Sequence, residues 1–144
     1  MDQYMDPARD YIGYLLKQKA AGRIRYLGFS SHMAPEGLAR FLDWYPDFDM
    51  ALIQLNYLDW TLLDGKGQYD LLTKRGIPVW VMEPLKGGRL VHLNDQAEAI
   101  LNQAAPGQTI PSWSFRYLLG LPNVQCVLSG MTSPEEIRQN AAVF

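Results

Sequence analysis

Cysteine is nearly absent from this sequence. Cys126 is the only one in 144 residues, which excludes an internal disulfide and a cysteine-rich metal site. Histidine is almost as scarce, with only His32 and His92. Long apolar runs are missing too: none approaches the roughly 20 residues of a membrane span. The first residues, Met1-Asp-Gln-Tyr-Met-Asp6, lack the basic start and apolar stretch of a signal peptide. Charge of one sign is also missing. Thirteen basic and 15 acidic side chains are interspersed and sum to −2. That leaves no electrostatic footprint for nucleic acid or an anionic membrane. A single thiol suits a reducing cytoplasm, which is the expected location. Length is the last shortage, since a closed eight-strand β/α barrel usually takes about 250 residues.

What is present is ordinary globular composition, 48% hydrophobic and 19% charged. A chain of this size buries roughly 70% of its unfolded surface, enough for one core. No linker or low-complexity stretch divides it, so residues 1–144 are expected to form a single domain.

The pattern predicts a helix followed by four strand–helix units. Asp6-Pro7 reads as N-cap and first position of the opening helix. Ile12, Leu15, Leu16 and Ala20 would form its buried face, and Gly22 its stop. Strands are predicted at 24–29, 49–55, 77–81 and 124–128. Helices are predicted from Pro35 (with Leu38, Phe41 and Leu42 inward), over 68–75, 95–105 and 111–119, and after Ser133-Pro134-Glu135-Glu136. Strict alternation means parallel strands joined by right-handed crossovers. Binding groups in such folds collect where strands end. Four polar or glycine-rich clusters fall there: Ser30-Ser31-His32, Gln54 to Tyr57, Met82 to Gly88, and Ser129 to Asn140. In a parallel sheet they share one rim.

Taken singly, the chemistry-bearing residues read plainly. His32 is a solvated rim histidine, and His92 a surface residue. Tyr57 and Tyr69 have no adjacent Lys or His to lower a pKa near 10. Cys126 in an apolar strand is expected as a core thiol, and Trp80 and Trp113 as core residues.

Four segments occur in one order across nearly the whole chain. They are Gly22-Arg-Ile-Arg-Tyr-Leu-Gly-Phe-Ser-Ser31, Leu-Ile-Gln54-Leu-Asn, Met82-Glu-Pro-Leu-Lys-Gly-Gly88, and Val127-Leu-Ser-Gly-Met-Thr-Ser-Pro-Glu-Glu-Ile-Arg-Gln-Asn140. Together they resemble the aldo-keto reductases, most closely the bacterial branch that often carries a C-terminal iron–sulfur module. The resemblance implies a parallel α/β half-barrel equivalent to strands five to eight of a (β/α)8 barrel. For the full-length family it implies hydride transfer between NAD(P)H and a carbonyl or alcohol. Ser30, Ser31 and Gln54 match the positions that bond the nicotinamide carboxamide, and Met82 the position that packs on its ring. Glu83, Pro84, Leu85, Lys86, Gly87 and Gly88 match the pyrophosphate loop, with Lys86 or Arg89 as a source of charge. Ser129, Gly130 and Met131 match the adenosine-phosphate segment, and Glu135, Gln139 and Asn140 the adenine edge.

Two departures qualify this. Gly130 and Glu136 stand where many NADP-preferring members carry basic residues, with Arg138 nearby, so the cofactor is NADP or NAD. The family's catalytic Asp, Tyr, Lys and His lie on its first four strands and match nothing here. The expectation is therefore cofactor binding with no catalytic residue and no metal site in this chain, and little turnover alone. A homodimer, or a separate N-terminal half, is the expected partner. The alternative reading is a non-catalytic structural or interaction module.

Overall fold

The structure, a computed structural model, describes residues 3–144. Four parallel strands, β1 (Gly28–Ser31), β2 (Met50–Gln54), β3 (Val79–Met82) and β4 (Val124–Val127), form one sheet in the order β1-β2-β3-β4. Among the described residues, seven helices are interleaved with them: α1 (Tyr11–Ala20), α2 (Pro35–Trp44), α3 (Asp59–Leu62), α4 (Gly65–Lys74), α5 (Asp95–Ala104), α6 (Ile110–Leu119) and α7 (Pro134–Ala141). This is the expected parallel α/β arrangement. The sequential order distinguishes it from a doubly wound sheet, in which strand order reverses at a switch point. Each strand is added beside the last, as in a segment of a β/α barrel.

Side chains alternate across each strand. Ala51, Ile53, Val79 and Val81 are fully buried with Leu38 and Leu42 of α2, Leu72 of α4 and Leu118 of α6. Phe29 joins this side and packs on Phe48 and Phe41, with ring centroids 4.6 and 5.1 Å away. The opposite face carries Met50, Leu52, Gln54, Trp80 and Met82, none of them buried. Trp80 was expected in the core, but it is 37% exposed on this face. Cys126, paired with Trp80 across the ladder, is likewise only half-buried rather than a core thiol. Both lie in apolar strands, but the strand period sends Trp80 to the face away from the helices, and Cys126 lines a cleft beside Phe115 and Leu119 of α6. Trp113 is also only half-buried, because Ser112, Ser114, Phe115 and Leu118 take the inward positions of α6.

Several boundaries differ from the sequence expectation. The first helix starts at Tyr11, capped by Asp10, whose carboxylate accepts from the Gly13 N–H at 3.1 Å. Asp6 caps only an isolated turn, through Ala8. Gly13 makes the later cap possible, since a Cβ there would lie 2.3 Å from the Asp10 carboxylate. The expected inner face of this helix is shallow: Ile12 and Leu15 are half-buried, and Leu16 and Ala20 are exposed. The expected strand at 24–29 is displaced to Gly28–Ser31. Here Asp49 replaces the ladder: its carboxylate accepts from the Leu27 N–H at 2.6 Å and from Lys19 Nζ at 2.5 Å, and its own N–H donates to Leu27 O. Short α3 was not expected at all. The last helix has the expected Ser133 cap with a complete capping box through Glu136.

The Lys19 ammonium and the Leu27 N–H hold the Asp49 carboxyl below the usual carboxylate range. A depressed carboxyl contributes stability that is present above its unfolded pKa and is lost as pH falls through its folded pKa. Urea denaturation between neutral pH and pH about 3 should therefore lose stability more steeply in the native chain than in Asp49→Asn. Parallel curves would contradict this.

Candidate functional site

The C-terminal ends of the four strands lie at one edge of the sheet, as the parallel order requires. The segment after β3 dominates this edge. Its backbone turns repeatedly, with Glu83 at φ 59°, Lys86 at 49°, Gly87 at 60° and Gly88 at 88°. Two non-glycine residues in the left-handed region need outside support, and buried polar groups supply it. Asn56 Nδ2 donates to Glu83 O at 2.9 Å. The buried Ser114 hydroxyl of α6 donates to Pro84 O. Lys86 Nζ reaches the carboxylate of Asp59 at 2.5 Å.

Asp59 is fully buried. Its Oδ2 accepts from Gln54 Nε2 and Asn56 Nδ2, both at 2.8 Å. Burial alone would raise this carboxyl. The bonds from Lys86, Gln54 and Asn56 outweigh it and hold the carboxyl below its ordinary range. Asn56, also fully buried, has both sides of its amide engaged, for its Oδ1 accepts from the Leu58 and Asp59 N–H groups. Asp59 and Ser114 were not singled out in the sequence. An Asn-x-x-Asp turn at a helix start was the available signal for Asp59. Ser114 gave none, because a serine among apolar helix residues does not reveal a loop that meets it 30 positions away in sequence.

The loop faces the segment after β4 across a cleft of about 360 Å3. One wall is Glu83, Pro84, Leu85, Gly87 and Gly88; the other is Ser129, Gly130 and Met131 with Gln139 and Asn140 of α7. Asn140 Nδ2 donates to Ser129 Oγ at 3.2 Å and ties α7 to the end of β4. A Cβ built on Gly88 or Gly130 would meet no atom within 4 Å. Both glycines therefore border open space and are not packed against protein. Gly130 is also outside the left-handed region, so neither packing nor backbone conformation requires a glycine there. Glu136 stands in the same wall. Backbone N–H groups of Thr132 and Ser133 hold its carboxyl below the usual range, so it is charged at neutral pH.

Six of the sequence-predicted positions lie outside this cleft. Glu135 is exposed and engaged along its own helix, by Arg138 at 2.9 Å and Gln139 at 2.9 Å. Lys86 is mostly buried with its ammonium on Asp59, and so is not directed as a free charge into the cleft. Gln54 and Met82 are register partners at the ends of β2 and β3. Ser30 and Ser31 border a separate cleft of about 410 Å3 between α1 and β1, together with His32. Strand alternation divides the two serines. Ser30 is exposed on the open face, whereas Ser31 is buried and its hydroxyl accepts from the Met33 N–H at 3.0 Å. Tyr69 accepts from the Asn123 N–H at 3.0 Å. Burial raises the Tyr57 hydroxyl above its ordinary pKa, which makes it a poorer proton donor. Among the described residues, no group of three or more His, Cys, Asp or Glu side chains could hold a metal ion, and no helix is long and apolar enough to cross a membrane.

Residues 2–144 match the model of the Aldo/keto reductase family. The chain belongs to that family. Solved structures agree at the level of the fold. The holo form of aldo-keto reductase AKR11C1 from Bacillus halodurans superposes with a TM-score of 0.76 at 21% identity, covering 96% of this chain and 50% of that one. The thermostable aldo-keto reductase Tm1743, in complex with the inhibitor epalrestat, gives 0.76 at 20% identity, covering 96% and 49%. Gox0644 in its apo form gives 0.69 at 21% identity, covering 98% and 50%. No curated protein matches the chain. This aldo/keto reductase family chain thus spans about half the length of the solved structures it matches, and its sheet is a four-strand portion of their fold.

The buried support of the loop is testable. Asn56→Ala removes a donor from Asp59 and another from Glu83 O, and leaves buried acceptors short of partners. It should cost about 2 kcal/mol in urea denaturation, with an unchanged denaturant slope. A loss within a few tenths of a kcal/mol would contradict the role given to Asn56.

Proposed function

We propose that this chain provides the dinucleotide-binding part of an NAD(P)H-dependent aldo/keto reductase. The observation that carries the proposal is the cleft between the loop after β3 and the segment after β4. Its walls bring together ten positions that the sequence resemblance implied for the cofactor, and Gly88 and Gly130 open it to close backbone approach. Backbone exposed by glycine is suited to a phosphate chain. Ser129, Gln139 and Asn140 offer polar groups for a ribose or an adenine edge. Gln54, at the end of β2, would take the nicotinamide carboxamide. When bound, the cofactor supplies the hydride. The chain's own residues bind and orient it, and none is placed as a proton donor to a carbonyl. We therefore expect little turnover by this chain alone.

The charged Glu136 in the cleft wall repels a 2′-phosphate, and Arg138 is occupied by Glu135. NADH should bind at least as tightly as NADPH. Calorimetric titration with both is the direct test, with micromolar binding of at least one expected. Gly130→Val should weaken that binding by about tenfold, or ~1.4 kcal/mol, and leave the urea midpoint unchanged. Absence of binding at hundreds of micromolar for either dinucleotide would overturn the proposal.

A second reading follows from the open sheet face, where Trp80 is 37% exposed beside half-buried Leu52 and Cys126. Apolar surface of this kind favours a covering partner. In this reading two copies associate through that face, whether or not they bind cofactor. Sedimentation should then give a mass that rises with concentration, and Trp80→Ser should return it to the monomer value. A monomer at all concentrations would exclude this reading.

A further inference from the structure

Gln54 sits between a buried charge and the open face. Its Nε2 donates to Asp59 Oδ2 at 2.8 Å. Asp59 is ionised and fully buried, and a carboxylate only accepts hydrogen bonds. The amide of Gln54 is thereby fixed in one of its two orientations, with Nε2 inward. The remaining acceptor, Oε1, takes no donor from any described residue. An unconstrained glutamine at a rim can rotate its amide to suit either a donor or an acceptor, but this one cannot without setting an oxygen against the carboxylate. The inward side of the network is complete. Asn56 gives its second N–H to Glu83 O, and Lys86 takes the other oxygen of Asp59. Nothing is left over to satisfy a turned Gln54.

We propose that Asp59 is a positioning residue that makes the end of β2 a hydrogen-bond acceptor, and so a reader of N–H groups on the nicotinamide substituent. This rests on the dinucleotide reading given above. The primary carboxamide of a nicotinamide carries two N–H donors; an acetyl group of nearly the same shape carries none. The native chain is therefore expected to select the carboxamide, and Asp59 to be the origin of that selection. The same carboxylate withdraws Lys86 from the cleft, so recognition of the phosphates is left to the backbone of the loop and exposed Arg89.

The test compares NAD with 3-acetylpyridine adenine dinucleotide, or the corresponding phosphorylated pair if that is the form bound. Dissociation constants are measured by calorimetry for the native chain and for Asp59→Asn. The native chain should favour the carboxamide by about fivefold to tenfold, the size of one hydrogen bond. In Asp59→Asn the Gln54 amide is free to turn, and the ratio should fall towards one. A merely structural role for Asp59 would weaken both ligands equally and keep the ratio. A preserved ratio in a folded variant overturns the proposal. If Asp59→Asn does not fold, the native protein still decides. A through-hydrogen-bond coupling from Gln54 Nε2 to the Asp59 carboxyl carbon, together with native selection, supports the proposal. Its absence overturns it. The two readings fail differently. A native chain that binds both dinucleotides without preference loses this inference alone. One that binds neither loses the dinucleotide reading, and this inference with it.

Discussion

The one-directional order of its parallel strands governs this structure. Each parallel strand is joined to the next through helical chain, and each new strand is added on the same side of the last. Right-handed connections in one sequential direction place their helices on one face of the sheet. Half of every strand is thereby committed to helix packing: Ala51 and Ile53, then Val79 and Val81, meet Leu38, Leu42, Leu72 and Leu118. The other half is left to the open face, where Leu52 and Trp80 lie side by side in the ladder. The parallel orientation of the strands lines up all four of their ends at one edge, which is where the candidate site forms. A parallel fold covered on both faces would have buried Trp80 and kept the same rim.

The rim itself depends on buried polarity. The loop after β3 takes left-handed turns at Glu83 and Lys86, which bare side-chain packing would not enforce. Three bonds from interior groups hold it instead, from Asn56, Ser114 and the Lys86–Asp59 pair. A buried carboxylate is costly unless it is paired and fully hydrogen-bonded, and Asp59 is both. Removing one partner leaves the rest uncompensated, so the network behaves as a unit. It links the end of β2 to the loop after β3, the two places that the proposed dinucleotide reading gives to the nicotinamide and the phosphates. The cleft wall contributed by α7 is of a different kind. There Glu136 serves the helix cap and also sets the local charge.

Much of this was legible in the sequence, and particular residues show why. Ser133-Pro134 with Glu136 is a local signal, since the cap closes within three residues. Leu38, Phe41 and Leu42 sit at helical spacing and are buried as expected. The glycine pair after β3 and Gly130 after β4 marked the cleft. The first helix was harder: Asp6-Pro7 read as its start, whereas the structure begins it at Tyr11 with Asp10 as the cap, and Gly13 gives the Asp10 carboxylate room. Trp80 and Cys126 were assigned to the core because apolar strands are usually buried on both faces in parallel sheets. That rule presumes cover on both sides.

By itself, the sequence determined the alternation of strands and helices apart from short α3, the Ser133 cap, the parallel class, the family resemblance and the position of the rim. Each follows from patterns that repeat within a few residues, or from motifs whose order survives in one dimension. Tertiary structure alone decided which rim residues meet. It separated Ser30 from Ser31 by strand alternation and sent Lys86 inward to a carboxylate 27 positions away. It also made Asp59 the charge that fixes Gln54. Such choices depend on burial and on hydrogen-bond partners brought together across the sheet. No local pattern encodes a desolvated charge until the fold has closed around it.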